Sequence, residues 1–123
     1  MEEKHILVVD DEAPIRKLFH TALEQKGYTM ASAASAEQAL ELMETRDFPV
    51  MFLDLSLPGM NGIDLCRHVL KKKPETIVYA VTGFASTYKS SECLKAGFRA
   101  YFTKPVSLLT LFDAAQEAFD QLR

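Results

Sequence analysis

Four short apolar runs, each stopped by a polar or charged residue, constrain what this chain can fold into more than any other feature. Ile6-Leu7-Val8-Val9 stops at Asp10-Asp11, Val50-Met51-Phe52-Leu53 at Asp54, Thr76 to Val81 at Thr82-Gly83, and Ala100-Tyr101-Phe102-Thr103 at Lys104-Pro105. Unbroken β-branched and aliphatic runs of this length read as strands covered on both faces, as in a parallel sheet. A fifth, weaker strand falls at Tyr28 to Ala34.

The intervening segments have helical periodicity. Ile15, Leu18, Phe19, Ala22 and Leu23 recur at 3.6-residue spacing between Pro14, placed for a first turn, and Gly27, placed for a stop. Ser35 is the expected N-cap of a second helix running to about Arg46, with Gln38 completing a capping box. Pro58-Gly59-Met60-Asn61-Gly62 marks a loop before a third helix over Ile63 to Lys72. Ser86 to Lys95 reads as a short polar helix stopped by Gly97, and a last helix carries Leu108, Leu111, Phe112, Ala115, Phe119 and Leu122, with Leu109 beside the stripe. Strand and helix alternate five times. That rhythm predicts an α/β fold, a doubly wound five-stranded parallel sheet with helices on both faces and right-handed crossovers.

At 123 residues the chain is the size of one domain, and residues 1–123 are read as that domain, without linker or repeat. Fourteen Lys and Arg against 17 Asp and Glu leave a net charge of −3, which offers no electrostatic footprint for a nucleic acid. No apolar run approaches the ~18 residues of a membrane span, and the start, Met1-Glu2-Glu3-Lys4-His5, is not a signal peptide, so a cytoplasmic location is expected. Cys66 and Cys93 lie far apart, without disulfide or zinc spacing. His5, His20 and His68 do not cluster and read as solvated surface residues.

In open parallel sheets, ligands bind beyond the carboxyl ends of the strands. Those ends carry Asp10, Asp11, Asp54, Thr82 and Lys104. Taken singly, each has an ordinary reading as a turn or cap residue. Each type makes up about a twentieth of average sequence, so four such positions coinciding by chance is on the order of one in 10⁵.

Val8-Val9-Asp10-Asp11-Glu12, Asp54-Leu55-Ser56-Leu57-Pro58-Gly59-Met60-Asn61-Gly62, Val81-Thr82-Gly83 and Tyr101-Phe102-Thr103-Lys104-Pro105 together make the chain resemble the receiver domain of bacterial two-component response regulators, from Lys4 to Leu122. The resemblance implies the flavodoxin-like strand order 2-1-3-4-5 and Asp54 as acceptor of a phosphoryl group from a phosphohistidine on a sensor histidine kinase or phosphotransfer protein. It also implies Mg²⁺ held by Asp11 and Asp54 directly, by Asp10 mainly through water, and by the backbone carbonyl of Ser56. Elementary chemistry agrees, because carboxylates sharing one site repel unless a cation neutralises them, and Mg²⁺ takes oxygen ligands while leaving room for phosphate. Lys104, the Thr82 hydroxyl and the Gly83 N–H are the expected charges and donors around the phosphoryl oxygens.

By the same resemblance, Lys104-Pro105 is expected to be cis, and Thr82 and Tyr101 to act as the switch. Output is then expected on the face of helix four, strand five and helix five, with Tyr88, Lys89, Lys95 and Tyr101, toward an output domain or protein partner, and a phosphorylation-dependent homodimer is a further expectation. Leu57 and Phe84 depart from the common family residues, and Phe84, beside the expected phosphate, is read as restricting the attacking water or as surface packing. Two competing readings use similar residues. A dehalogenase-type phosphatase needs a second Asp where Ser56 stands and a cap segment, and an unphosphorylated interaction module would not need the acid cluster. A flavodoxin would need a phosphate loop after the first strand that is not here.

Overall fold

The computed structural model describes residues 4–83 and 90–122. Strand β1 (His5–Val9) is followed by α1 (Ala13–Gln25), β2 (Thr29–Ala33), α2 (Ala36–Thr45), β3 (Val50–Asp54), α3 (Gly62–Lys72), β4 (Ile77–Thr82), α4 (Ser90–Ala96), β5 (Ala100–Thr103) and α5 (Leu108–Gln121). The strands form one parallel sheet in the order β2-β1-β3-β4-β5, as expected. The residues expected at the start of helix four, with Phe84, Tyr88 and Lys89, lie outside the described residues. Among the described residues no helix is long and apolar enough to cross a membrane.

The alternation of side chains along each strand divides the apolar runs into two cores. Leu7, Val9, Met51, Leu53, Val78 and Ala80 pack under α2, α3 and α4 against Ala39, Leu65, Val69 and Cys93. Ile6, Val8, Val50, Phe52, Tyr79 and Val81 pack under α1 and α5 against Phe19, Leu23, Leu111 and Ala115. Both faces of β1, β3 and β4 are therefore dry, which is why those runs carry no polar alternation. Phe52 anchors the second core, with its ring 5.1 Å from Tyr79 in a stack and 5.9 Å from Phe19 edge-on. The buried Tyr79 hydroxyl donates to the Ala114 carbonyl at 2.9 Å, tying α5 to the sheet.

Local signals act where the sequence places them, with small departures. The Gln38 N–H donates to Ser35 Oγ at 3.1 Å, but the Gln38 side chain accepts from Ala34 N–H at 2.8 Å, one residue before the cap. Leu18 is largely exposed, because α1 meets the core through Phe19, Ala22 and Leu23 and Leu18 sits about 100° around the helix from Phe19. Leu108 and Leu122, at the ends of α5, are exposed too, as is Leu109. Both cysteines are buried. Of the histidines, His5 is half-buried in β1, while His20 pairs with Glu24 at 3.1 Å and His68 is exposed.

The close approach of α3 to β3 positions the end of the central strand. Asn61 Oδ1 accepts from Asp64 N–H at 2.9 Å to start the helix, and Gly62 N–H donates to the Leu55 carbonyl at 3.1 Å. A Cβ on Gly62 would lie 2.3 Å from the Asp54 carbonyl oxygen and 2.9 Å from Leu55 Cα, both backbone atoms that cannot swing aside. Gly62→Ala is therefore expected to cost about 2 kcal/mol or more in urea unfolding. A loss below about 0.5 kcal/mol would show that α3 can lift off β3 freely.

Candidate functional site

The carboxyl ends of the strands bring Asp10, Asp54 and Lys104 into direct contact. Asp10 leaves β1 with its N–H on the Ala33 carbonyl at 3.0 Å, so pairing with β2 fixes its backbone. Its carbonyl accepts from an Arg16 guanidinium nitrogen at 2.7 Å, which ties the strand end to the first turn of α1. Lys104 follows β5, its N–H on the Thr82 carbonyl at 2.8 Å, and its bond to Pro105 is cis, as expected. Lys104 Nζ then lies 2.9 Å from Asp10 Oδ2, 3.0 Å from Glu12 Oε2 and 3.4 Å from Asp54 Oδ2. The other oxygens are also held, with Asp10 Oδ1 accepting from Glu12 N–H at 2.9 Å and Asp54 Oδ1 from Ser56 N–H at 3.0 Å.

The electrostatics follow from burial. Asp10 and Asp54 are only 2% and 4% exposed. Burial pushes the Asp54 carboxyl above its ordinary value and the charge of Asp10 adds to this, against the opposing Ser56 N–H and the Lys104 ammonium. For Lys104, burial works to lower the value, but the hydrogen bonds of Asp10 and Glu12 and the charges of Asp10 and Asp54 outweigh it and raise the ammonium above its ordinary range. One ammonium thus serves several carboxylates and leaves Asp54 short of positive charge.

A cleft of about 380 Å³ opens above these groups, lined by Asp11, Glu12, Asp54, Ser56, Gly83 and Lys104. Asp10 and Thr82 do not reach its wall, and Thr82 is wholly buried. Asp10, Asp11 and Glu12 present carboxylate oxygens within 4.8 Å of one another, a grouping that includes Glu12 and not Asp54. Glu12 therefore belongs to the site, although the sequence reading gives it no role. Its signal is the run of three consecutive acids after β1. Tyr101 lies on β5, half-buried, with its neighbour Phe102 packed 5.6 Å from Tyr79.

The family model of the response regulator receiver domain matches residues 6–116. The chain belongs to that family. It is 33% identical over 108 residues to the response regulator protein PilR of Pseudomonas aeruginosa, covering 88% of this chain and 24% of PilR. The chain thus spans about a quarter of that relative's length. Among solved structures it resembles a CheY-like response regulator receiver domain protein from Methanospirillum hungatei, with a TM-score of 0.92 and 35% identity over 98% of this chain and 96% of the other. It also resembles the beryllofluoride-activated NtrC4 receiver domain dimer, with a TM-score of 0.91 and 28% identity over 98% and 99% of the two chains.

A receiver domain is a phosphorylation-dependent signalling module of two-component systems, and the phosphatase reading is not favoured. In this receiver domain an acid whose pKa is higher folded than unfolded binds more protons when folded, so the metal-free protein loses stability as pH rises from the ordinary aspartate range through the raised value of Asp54. Asp54→Asn removes that loss. In chelator at neutral pH it is expected to raise the thermal midpoint and to flatten this part of the pH profile. A destabilised Asn variant would contradict the burial cost assigned to the Asp54 carboxylate.

Proposed function

We propose that Asp54 accepts a phosphoryl group from a phosphohistidine on a sensor histidine kinase or phosphotransfer protein and passes the signal to an output domain or protein partner in the cytoplasm. The observation that carries this reading is a buried carboxylate at the end of the central strand, undersupplied with positive charge and facing a cleft with Lys104 3.4 Å away. A carboxylate oxygen of Asp54 forms the new P–O bond while the P–N bond to the histidine breaks, and the departing imidazole takes up a proton from solvent. Hydrolysis of the acyl phosphate later returns the Asp54 carboxylate and inorganic phosphate. The domain thus catalyses its own phosphorylation and resetting.

The oxygen-only donors here suit a hard cation. Asp10, Asp11, Asp54 and the Ser56 carbonyl would hold Mg²⁺, with Asp10 acting mainly through water. Bound there, the ion neutralises charge developing on the phosphoryl oxygens. Lys104 supplies a second positive charge at those oxygens, and the Gly83 N–H, at the cleft wall, a further donor.

A phosphoryl group adds nearly two negative charges and three acceptors, which draw the Thr82 hydroxyl toward Asp54. Tyr101 responds by turning inward, so that the change reaches the surface of α4, β5 and α5. That surface carries Lys95, Tyr101 and the exposed Leu94 and Leu109, apolar groups that fit a protein partner or a second copy of the chain.

Incubation with Mg²⁺ and a small acyl-phosphate donor, followed by intact mass and peptide mapping, is expected to place one phosphoryl group on Asp54. Asp54→Asn should take up none, and Lys104→Ala should be phosphorylated about a hundredfold more slowly. Label on another residue, or full labelling of Asp54→Asn, would refute the assignment.

A further inference from the structure

We propose that Glu12 is a positioning residue that holds Lys104 at rest and must release it before a phosphoryl group can be bound on Asp54. The inference rests on the acceptor reading of Asp54 given above. Glu12 occupies the N-cap of α1, where a short polar side chain usually caps its own helix. Its carboxylate makes no such bond. Instead it accepts from Lys104 Nζ at 3.0 Å, a residue 92 positions further along the chain.

An ammonium has three donors, and in this structure Asp10, Glu12 and Asp54 face them at 2.9, 3.0 and 3.4 Å. The two nearer acids are not the acceptor. A phosphoryl group on Asp54 replaces the long Asp54 contact with oxygens that stand beyond the carboxylate in the cleft, so Lys104 must shift away from one of its two nearer partners to reach them. Asp10 is poorly placed to do so, since its side chain is 3% exposed and its second oxygen is held by the Glu12 N–H. The Glu12 side chain is 59% exposed, and its carboxylate can turn into water and remain solvated. Glu12 is therefore the partner that exchanges with the phosphoryl oxygen, and its hold on Lys104 opposes the activated state.

The test is a titration of the Mg²⁺-loaded chain with beryllofluoride, a mimic of the phosphoryl group, at low ionic strength. Removing the competing charge in Glu12→Gln should tighten binding about two- to fivefold, the scale of a partly exposed ion pair. Glu12→Asp keeps the charge but is one methylene too short to reach Lys104, and should behave like Glu12→Gln. In a Lys104→Ala background the gain should vanish, because the competition no longer exists. Thermal unfolding of each variant checks that it is folded. An undiminished gain in the Lys104→Ala background, wild-type binding by Glu12→Asp, or no gain in Glu12→Gln overturns the inference alone. A wild-type chain that takes up no beryllofluoride overturns the acceptor reading and this inference together.

Discussion

Two carboxylates buried side by side at the ends of neighbouring strands are the constraint on which this molecule turns. Asp10 and Asp54 leave β1 and β3, which are hydrogen-bonded to each other, and both are almost fully removed from water. Burying an anion costs several kcal/mol unless charge and hydrogen bonds offset it. The N–H groups of Glu12 and Ser56 satisfy one oxygen of each acid, and a single ammonium, Lys104, is shared between the others. The offset is incomplete at Asp54, where burial and the charge of Asp10 outweigh the Ser56 N–H and Lys104 and push the carboxyl above its ordinary value. A site held short of positive charge is one that favours a cation and groups that arrive with it.

The scaffold makes that arrangement durable. Strands β1, β3 and β4 are dry on both faces, and the stacked rings of Phe52 and Tyr79, with Phe19 edge-on, lock the layer beneath the site. Gly62 lets α3 sit directly on the Asp54–Leu55 peptide, so Asp54 cannot drift without moving a helix. At the sheet edge the balance differs. β5 has one strand neighbour and half-buried side chains, so rearranging it disturbs fewer contacts than rearranging β3. Lys104 is attached to that edge, and Tyr101 is part of it. The ammonium beside Asp54 and the sheet edge that carries Tyr101 are thus covalently joined.

The strands and the site acids are legible in the sequence because both obey short-range rules. An apolar run that stops at a polar or charged residue marks a strand and its carboxyl end together, and Asp10, Asp54, Thr82 and Lys104 all stand at those ends. Strand order and the cis bond at Pro105 do not follow from spacing; the family resemblance implies them, and the structure has both. Other features depend on long-range geometry. Glu12 reads as an ordinary acid at a helix start, and only the fold shows its carboxylate on Lys104. The Arg16 hold on the Asp10 carbonyl is likewise invisible to periodicity, and Leu18 fits an apolar stripe wider than the face α1 buries. His5 is half-buried because the strand begins one residue before the apolar run does.

The central claim is that Asp10 and Asp54 form one electrostatic unit, which leaves the site in need of a divalent cation. Calorimetric titration with Mg²⁺ alone, on the wild-type chain and on Asp10→Asn and Asp54→Asn, tests it most directly. Binding at a single site, weakened about tenfold or more by either substitution, is the predicted result. Equal Mg²⁺ affinity in all three proteins would contradict it.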